Sequence, residues 1–271
     1  MNKRLTVALL STALAAGVLT GGGPAHASPD PVKSLREQFA EGRGVRVSET
    51  TRGKTSKVKE VPPTRTTGTI EFGTSGAVDY DLTSRWKAGP SSEELQAIKV
   101  GRHTYVRGFE WGPMPEGKKW IRFTPGEASW GNDGQRGDQV VDVFNPRILR
   151  AMLAKATVRK GGEYRGVLTG NDLYGKYSYA EFTKVSYRLF LDRRGLPIRL
   201  ITEYTSKWTD TNGKNTYRPV VDTRYTGYGA KVKITPPPAD EVVGFKDLEG
   251  PFAAQDGDEP LTLDRGDVSA R

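Results

Sequence analysis

The sequence predicts a single α+β domain dominated by one antiparallel sheet, and three observations carry that prediction. Short runs with period-two alternation recur along the chain between turn residues, only two segments have helical spacing, and no internal repeat divides the chain. Residues 185–234 show the pattern most clearly. Val185-Ser-Tyr187-Arg-Leu189-Phe-Leu191 alternates, Asp192-Arg-Arg-Gly195 turns the chain, and the run from Ile198 through Leu200 to Tyr204 alternates back. Asp210-Thr-Asn212-Gly213-Lys214 turns it again, and Tyr217 to Tyr228 leads into Val232-Lys-Ile234 and three prolines. Asn-Gly between strand-like runs favours a type I′ hairpin.

From the N-terminus, residues 1–27 read as a secretory signal peptide. Lys3 and Arg4 supply the positive region, Leu5 to Leu19 the apolar run, and Ala25-His26-Ala27 a cleavage signal before Ser28. The apolar run is short for a bilayer span, so secretion into the extracellular or cell-envelope space is expected after cleavage near Ala27-Ser28. Asp30 or Ser28 can then cap a short helix with Val32, Leu35 and Phe39 on one side, ending near Gly42. Gly44 to Thr51 reads as a strand. Residues 52–65, basic and poor in apolar side chains, read as a solvated loop. Strands follow at 67–72, 77–82, 98–109 and 120–123, with 125–139 as a glycine-rich surface excursion. Asn145 and Pro146 suit the cap and first position of a second helix carrying Ile148, Leu149, Met152 and Leu153 as one apolar stripe. Strands resume at Tyr164 and run through Tyr228. The domain is therefore set at 28–243, with 244–271 as an acidic, flexible C-terminal tail.

Charge is unevenly spread. The chain carries +9 formally, yet residues 28–238 carry +13 and residues 239–271 carry −6. A basic body outside the cell points to anionic partners, such as cell-wall polymers or a membrane surface, and export argues against nucleic acid. With no cysteine and one histidine after the signal, neither a disulfide nor a zinc site is expected. His103 lies in a predicted strand, and no Gly-x-Ser-x-Gly elbow accompanies it. Asp79 and Asp81 alternate with Val78, Tyr80 and Leu82, which is the solvent face of a half-buried strand rather than a catalytic carboxylate pair. No glycine loop that would cradle phosphate opens a helix. We therefore expect no enzyme, cofactor or metal, and a monomer.

The order of elements resembles a known family. A capped helix leads, meanders flank the Asn145-Pro-x-x-Leu149 helix, and Tyr164 and Gly166 follow in a strand. Then come the hairpin Leu189-x-Leu191-Asp192-x-x-Gly195-Leu-Pro197-Ile-Arg199, Gly227-Tyr-Gly229, Val232-x-Ile234 and Pro236-Pro-Pro-Ala-Asp-Glu-Val242. This order is similar to that of the LppX/LprG-type lipoproteins, relatives of the LolA/LolB carriers, over roughly Pro29 to Val243. The resemblance implies a strongly curved antiparallel sheet, a half-barrel with a few helices across its concave face. It also implies an apolar gap between sheet and helices that takes a lipid, a lipidated molecule or another amphiphile. The family's usual N-terminal lipid anchor needs a cysteine that this chain lacks, so a secreted carrier or scavenger is expected. The candidate lining is Val78, Tyr80 and Leu82, then Val185, Tyr187, Leu189 and Leu191, then Ile198, Leu200 and Tyr204, with Ile148, Leu149 and Met152 on the covering helix. The alternative is an envelope sensor or wall-binding module that uses its basic surface and has no ligand cavity.

Overall fold

Thirteen strands join into one open sheet in the computed structural model, which describes residues 29–88, 90–108, 113–125, 136–174, 184–210 and 213–248. The expected signal peptide and the chain beyond Leu248 lie outside the described residues. In chain order the elements are α1 (Pro31–Arg36), β1 (Arg43–Thr55), β2 (Val61–Phe72), β3 (Ala77–Ala88), β4 (Ser91–Val100), β5 (His103–Arg107) and β6 (Trp120–Phe123). Then follow α2 (Pro146–Lys155), β7 (Val158–Lys160), β8 (Glu163–Thr169), α3 (Gly170–Tyr174), β9 (Lys184–Leu191), β10 (Pro197–Tyr204), β11 (Ser206–Asp210), β12 (Gly213–Lys231) and β13 (Val242–Gly244).

Across the sheet the order is β13-β6-β5-β4-β3-β2-β1-β12-β10-β9-β8-β7, with β11 paired on β12. Every pairing is antiparallel except β13 on β6. Packing shows how strongly the sheet curves. Tyr80 and Leu82 on β3 share one core cluster with Leu168 on β8, although the two strands stand six places apart, roughly 29 Å on a flat sheet. The strands must wrap around that cluster. No pairing joins β13 to β7 among the described residues, so the wrap stays open.

Local chemistry accounts for the elements that flank the core. The Asn145 carboxamide oxygen accepts from the Arg147 amide, and Pro146 fills the first helical position of α2. Asp30 caps α1 in the same way, accepting from the Val32 and Lys33 amides. In the β9–β10 turn the Asp192 carboxylate accepts from the amides of Arg194 and Leu196, while Gly195 takes φ +80°, which other residues rarely adopt.

Two sequence expectations need correction here. Residues 52–65 are not a loop: β1 runs through Thr55 and β2 starts at Val61, so only a tight turn separates them. The nineteen-residue β12 pairs β1 as far as Thr55↔Tyr217 and supplies backbone partners to a segment without apolar alternation. The packed unit also passes Val243. Strand β13 pairs with β6, and Phe245 and Leu248 are buried against Val106, Ile121 and Phe123 in a second core at that end of the sheet.

Candidate functional site

The concave face is apolar where α2 lies across it. Leu149 and Met152 of α2, together with Val185, Leu189 and Leu200 beneath it, are 0% exposed. Tyr80, Leu82, Ile148, Tyr187 and Leu191 are buried with them, and Tyr204 is half-buried at the margin. A side chain with no exposure borders no space that water could enter. The open gap expected between sheet and helix is therefore packed core at these positions. Farther along the face, a void of about 10 Å³ beside Val47, Ile70, Thr223 and Tyr225 has room for no more than one water.

Val78 and Ile198 stand apart from the rest of the expected lining, at 39% and 41% exposed. A β-bulge removes each of them from the inward register. Glu71 pairs with Asp79 and Phe72 with Ala77, which leaves Val78 as the extra residue. Phe190 pairs with Arg199 and Leu191 with Pro197, which leaves Ile198 in the same position.

Polar ties hold α2 in place. The Tyr187 hydroxyl donates to the Met152 carbonyl, and the Arg159 guanidinium donates to the Leu153 carbonyl. Lys155 pairs with Asp172 of α3, and Arg147 donates to the Asp172 and Leu173 carbonyls. Burial pushes the Tyr187 phenol up to about 12 and raises Tyr80, Tyr225 and Tyr228 as well. These side chains stay protonated in the fold after the unfolded chain has begun to ionise. For Tyr187 the stabilisation is complete below pH about 10 and is lost as pH rises through about 12. Urea midpoints should hold up to about pH 9 and fall steadily from about pH 10, alongside the growth of tyrosinate absorbance.

The concave face also holds a buried polar run, which the sequence reading missed. Glu49, 2% exposed, accepts the Asp138 amide at 2.8 Å through one carboxylate oxygen and the Thr223 hydroxyl at 2.8 Å through the other. Gln139 donates to the Thr223 oxygen at 3.0 Å and accepts from the Thr202 hydroxyl at 2.8 Å. This run of bonds ties segment 138–141 to β1, β12 and β10 across the face. The available signal was Glu49 in the same period-two register as Val45 and Val47. On the opposite, convex side, residues 233–238 cross the sheet as a strap anchored by the Ile234 amide on Glu71. An open groove of about 400 Å³ runs between that strap and Thr69, Asp81, Ile98, Arg107 and Trp120.

No family model and no curated protein matches this sequence. Among solved structures the chain is similar to LprF from Mycobacterium bovis, at 12% identity over 78% of this chain and 99% of that one, with a TM-score of 0.40. It is also similar to a LolA superfamily protein from Nitrosomonas europaea, at 13% identity over 76% and 93% of the two chains, with a TM-score of 0.30. A DUF1329 family protein from Desulfovibrio piger matches at 9% identity over 76% and 92%, with a TM-score of 0.32. At these scores the likeness concerns the layout of the sheet alone. Among the described residues no helix is long and apolar enough to cross a membrane.

Proposed function

We propose that this chain is a non-enzymatic protein of the cell envelope that takes up an amphiphile on its concave face by exchanging it for α2. One observation carries the reading: on the apolar surface spanning β3 to β8, one ten-residue helix supplies a buried stripe of Ile148, Leu149 and Met152. Magnitudes make the exchange feasible. Ile148, Leu149 and Met152 contribute roughly 1.5–3 kcal/mol each by burial, whereas an acyl chain of about sixteen methylenes offers roughly 13 kcal/mol at 0.8 each. A bound chain would lie against Leu82, Val185, Tyr187, Leu189 and Leu200, with the helix displaced.

A fluorescent fatty-acid probe should bind the purified protein in one-to-one stoichiometry. Tyr187→Phe, which cuts the tie to the Met152 carbonyl, should speed its uptake. Native mass spectrometry of protein from its own host should show a bound lipid. No probe uptake and no recovered lipid would end this reading. The closed packing also favours a second reading, an envelope sensor or wall-binding module without a ligand, for which salt-sensitive retention on purified cell wall is the expected result.

A further inference from the structure

We propose that the convex face of β8, β9, β10, β12 and β1 docks on an anionic bilayer surface. The sheet register gathers cations there. Arg165 faces Arg188, Arg199 faces Arg224, and Lys54 faces Arg218 directly across neighbouring strands. Like charges in directly opposed positions are destabilising. Glu163 offsets the first pair by accepting from both arginines, and Asp222 offsets the second by accepting both Nε and Nη2 of Arg199. Arg46, Arg52, Arg218 and Arg224 are exposed and make no direct ion pair among the described residues. The five strands span about 19 Å, so the surplus charge is concentrated rather than scattered.

Apolar side chains on the same strands distinguish a bilayer from a soluble polyanion. Among the described residues five large hydrophobic side chains are exposed; Val167, Ile198 and Val220 lie on β8, β10 and β12, and Val158 lies on β7 beside β8. Val158 pairs with Arg165 and Val220 with Arg52, so the valines alternate with the cations. A polyphosphate strand gives a valine nothing to be buried against. The boundary between headgroups and acyl chains takes both residue types.

Co-sedimentation with vesicles of phosphatidylglycerol in phosphatidylcholine tests this. Binding is expected at low salt, should fade as salt shortens the screening length, and should be absent on pure phosphatidylcholine. The variant R52Q/R218Q/R224Q leaves the carboxylate-bonded arginines intact and should bind roughly 100-fold more weakly, about a factor of five per base. The variant V167S/V220S should weaken binding several-fold while keeping its salt dependence. Equal binding to neutral vesicles would overturn the proposal. So would an unchanged valine variant whose vesicle binding soluble polyphosphate abolishes at equal phosphate. Circular dichroism and the melting temperature of both variants should match the parent, since all five positions face solvent. Acyl-probe uptake without vesicles should be the same in parent and arginine variant, so the docking face and the proposed ligand exchange fail separately.

Discussion

Replacing Leu149 by alanine should lower the unfolding free energy by about 3–5 kcal/mol. Leu149 is wholly buried at the centre of α2, between Met152 and the strands that carry Val185, Leu189 and Leu200. Removing its side chain loses apolar contact and leaves a space that the sheet cannot collapse to fill, because hydrogen bonds on both flanks fix the strands beneath it. Urea denaturation measures the loss. Arg150→Ala, one position on and exposed, should change stability by no more than about 0.5 kcal/mol. The pair of variants also bears on the proposed exchange. A loss below about 1 kcal/mol at Leu149 would mean that α2 contributes little to the closed core. In that case the concave face is already open in solution, and uptake of an amphiphile needs no displaced helix. A large loss accompanied by faster probe uptake is the expected combination, since a truncated helix is easier to exchange.

The parts of this molecule that were readable beforehand are those in which one local rule decides the outcome. Asn145-Pro146 followed by Ile148, Leu149 and Met152 sets a cap, a first turn and a buried stripe, and α2 forms there. The β9–β10 hairpin follows from alternation on both sides of an Asp-x-x-Gly turn. Reading failed where the partner strand makes the decision. Beyond Thr51 the β1 arm has no apolar alternation, and pairing with distant β12 makes it a strand. Val78 and Ile198 share the parity of their buried neighbours, yet a bulge, visible only once the pairing register is known, turns each outward. The buried polar run on the concave face was hidden for a related reason. Its residues come from β1, β10, β12 and the segment near Gln139, and no single stretch of sequence contains the set.

Glu49→Ala should cost about 3–5 kcal/mol, comparable to the core truncation but through different physics. The carboxylate is buried and accepts from the Asp138 amide and the Thr223 hydroxyl. Alanine leaves both donors facing a site with no acceptor, at about 1–3 kcal/mol each, in addition to the space vacated by the side chain. Glu49→Gln separates the two contributions. Its carbonyl oxygen can still accept the Asp138 amide, and its volume fills the site, so a loss of about 1–2 kcal/mol is expected. Amide hydrogen exchange provides a local readout. In the alanine variant the Asp138 and Val141 amides should exchange much faster than in the parent, whereas those of β9 should slow or hasten only with global stability. Equal losses for alanine and glutamine would show that filling the site matters and the acceptor does not. Unchanged exchange at Asp138 would show that segment 138–141 is held by its apolar contacts through Val140, Val141 and Val143. If the expected pattern appears, the concave face has two independent fastenings, an apolar one under α2 and a polar one at Glu49. An amphiphile that displaces the helix can then enter without disturbing the second.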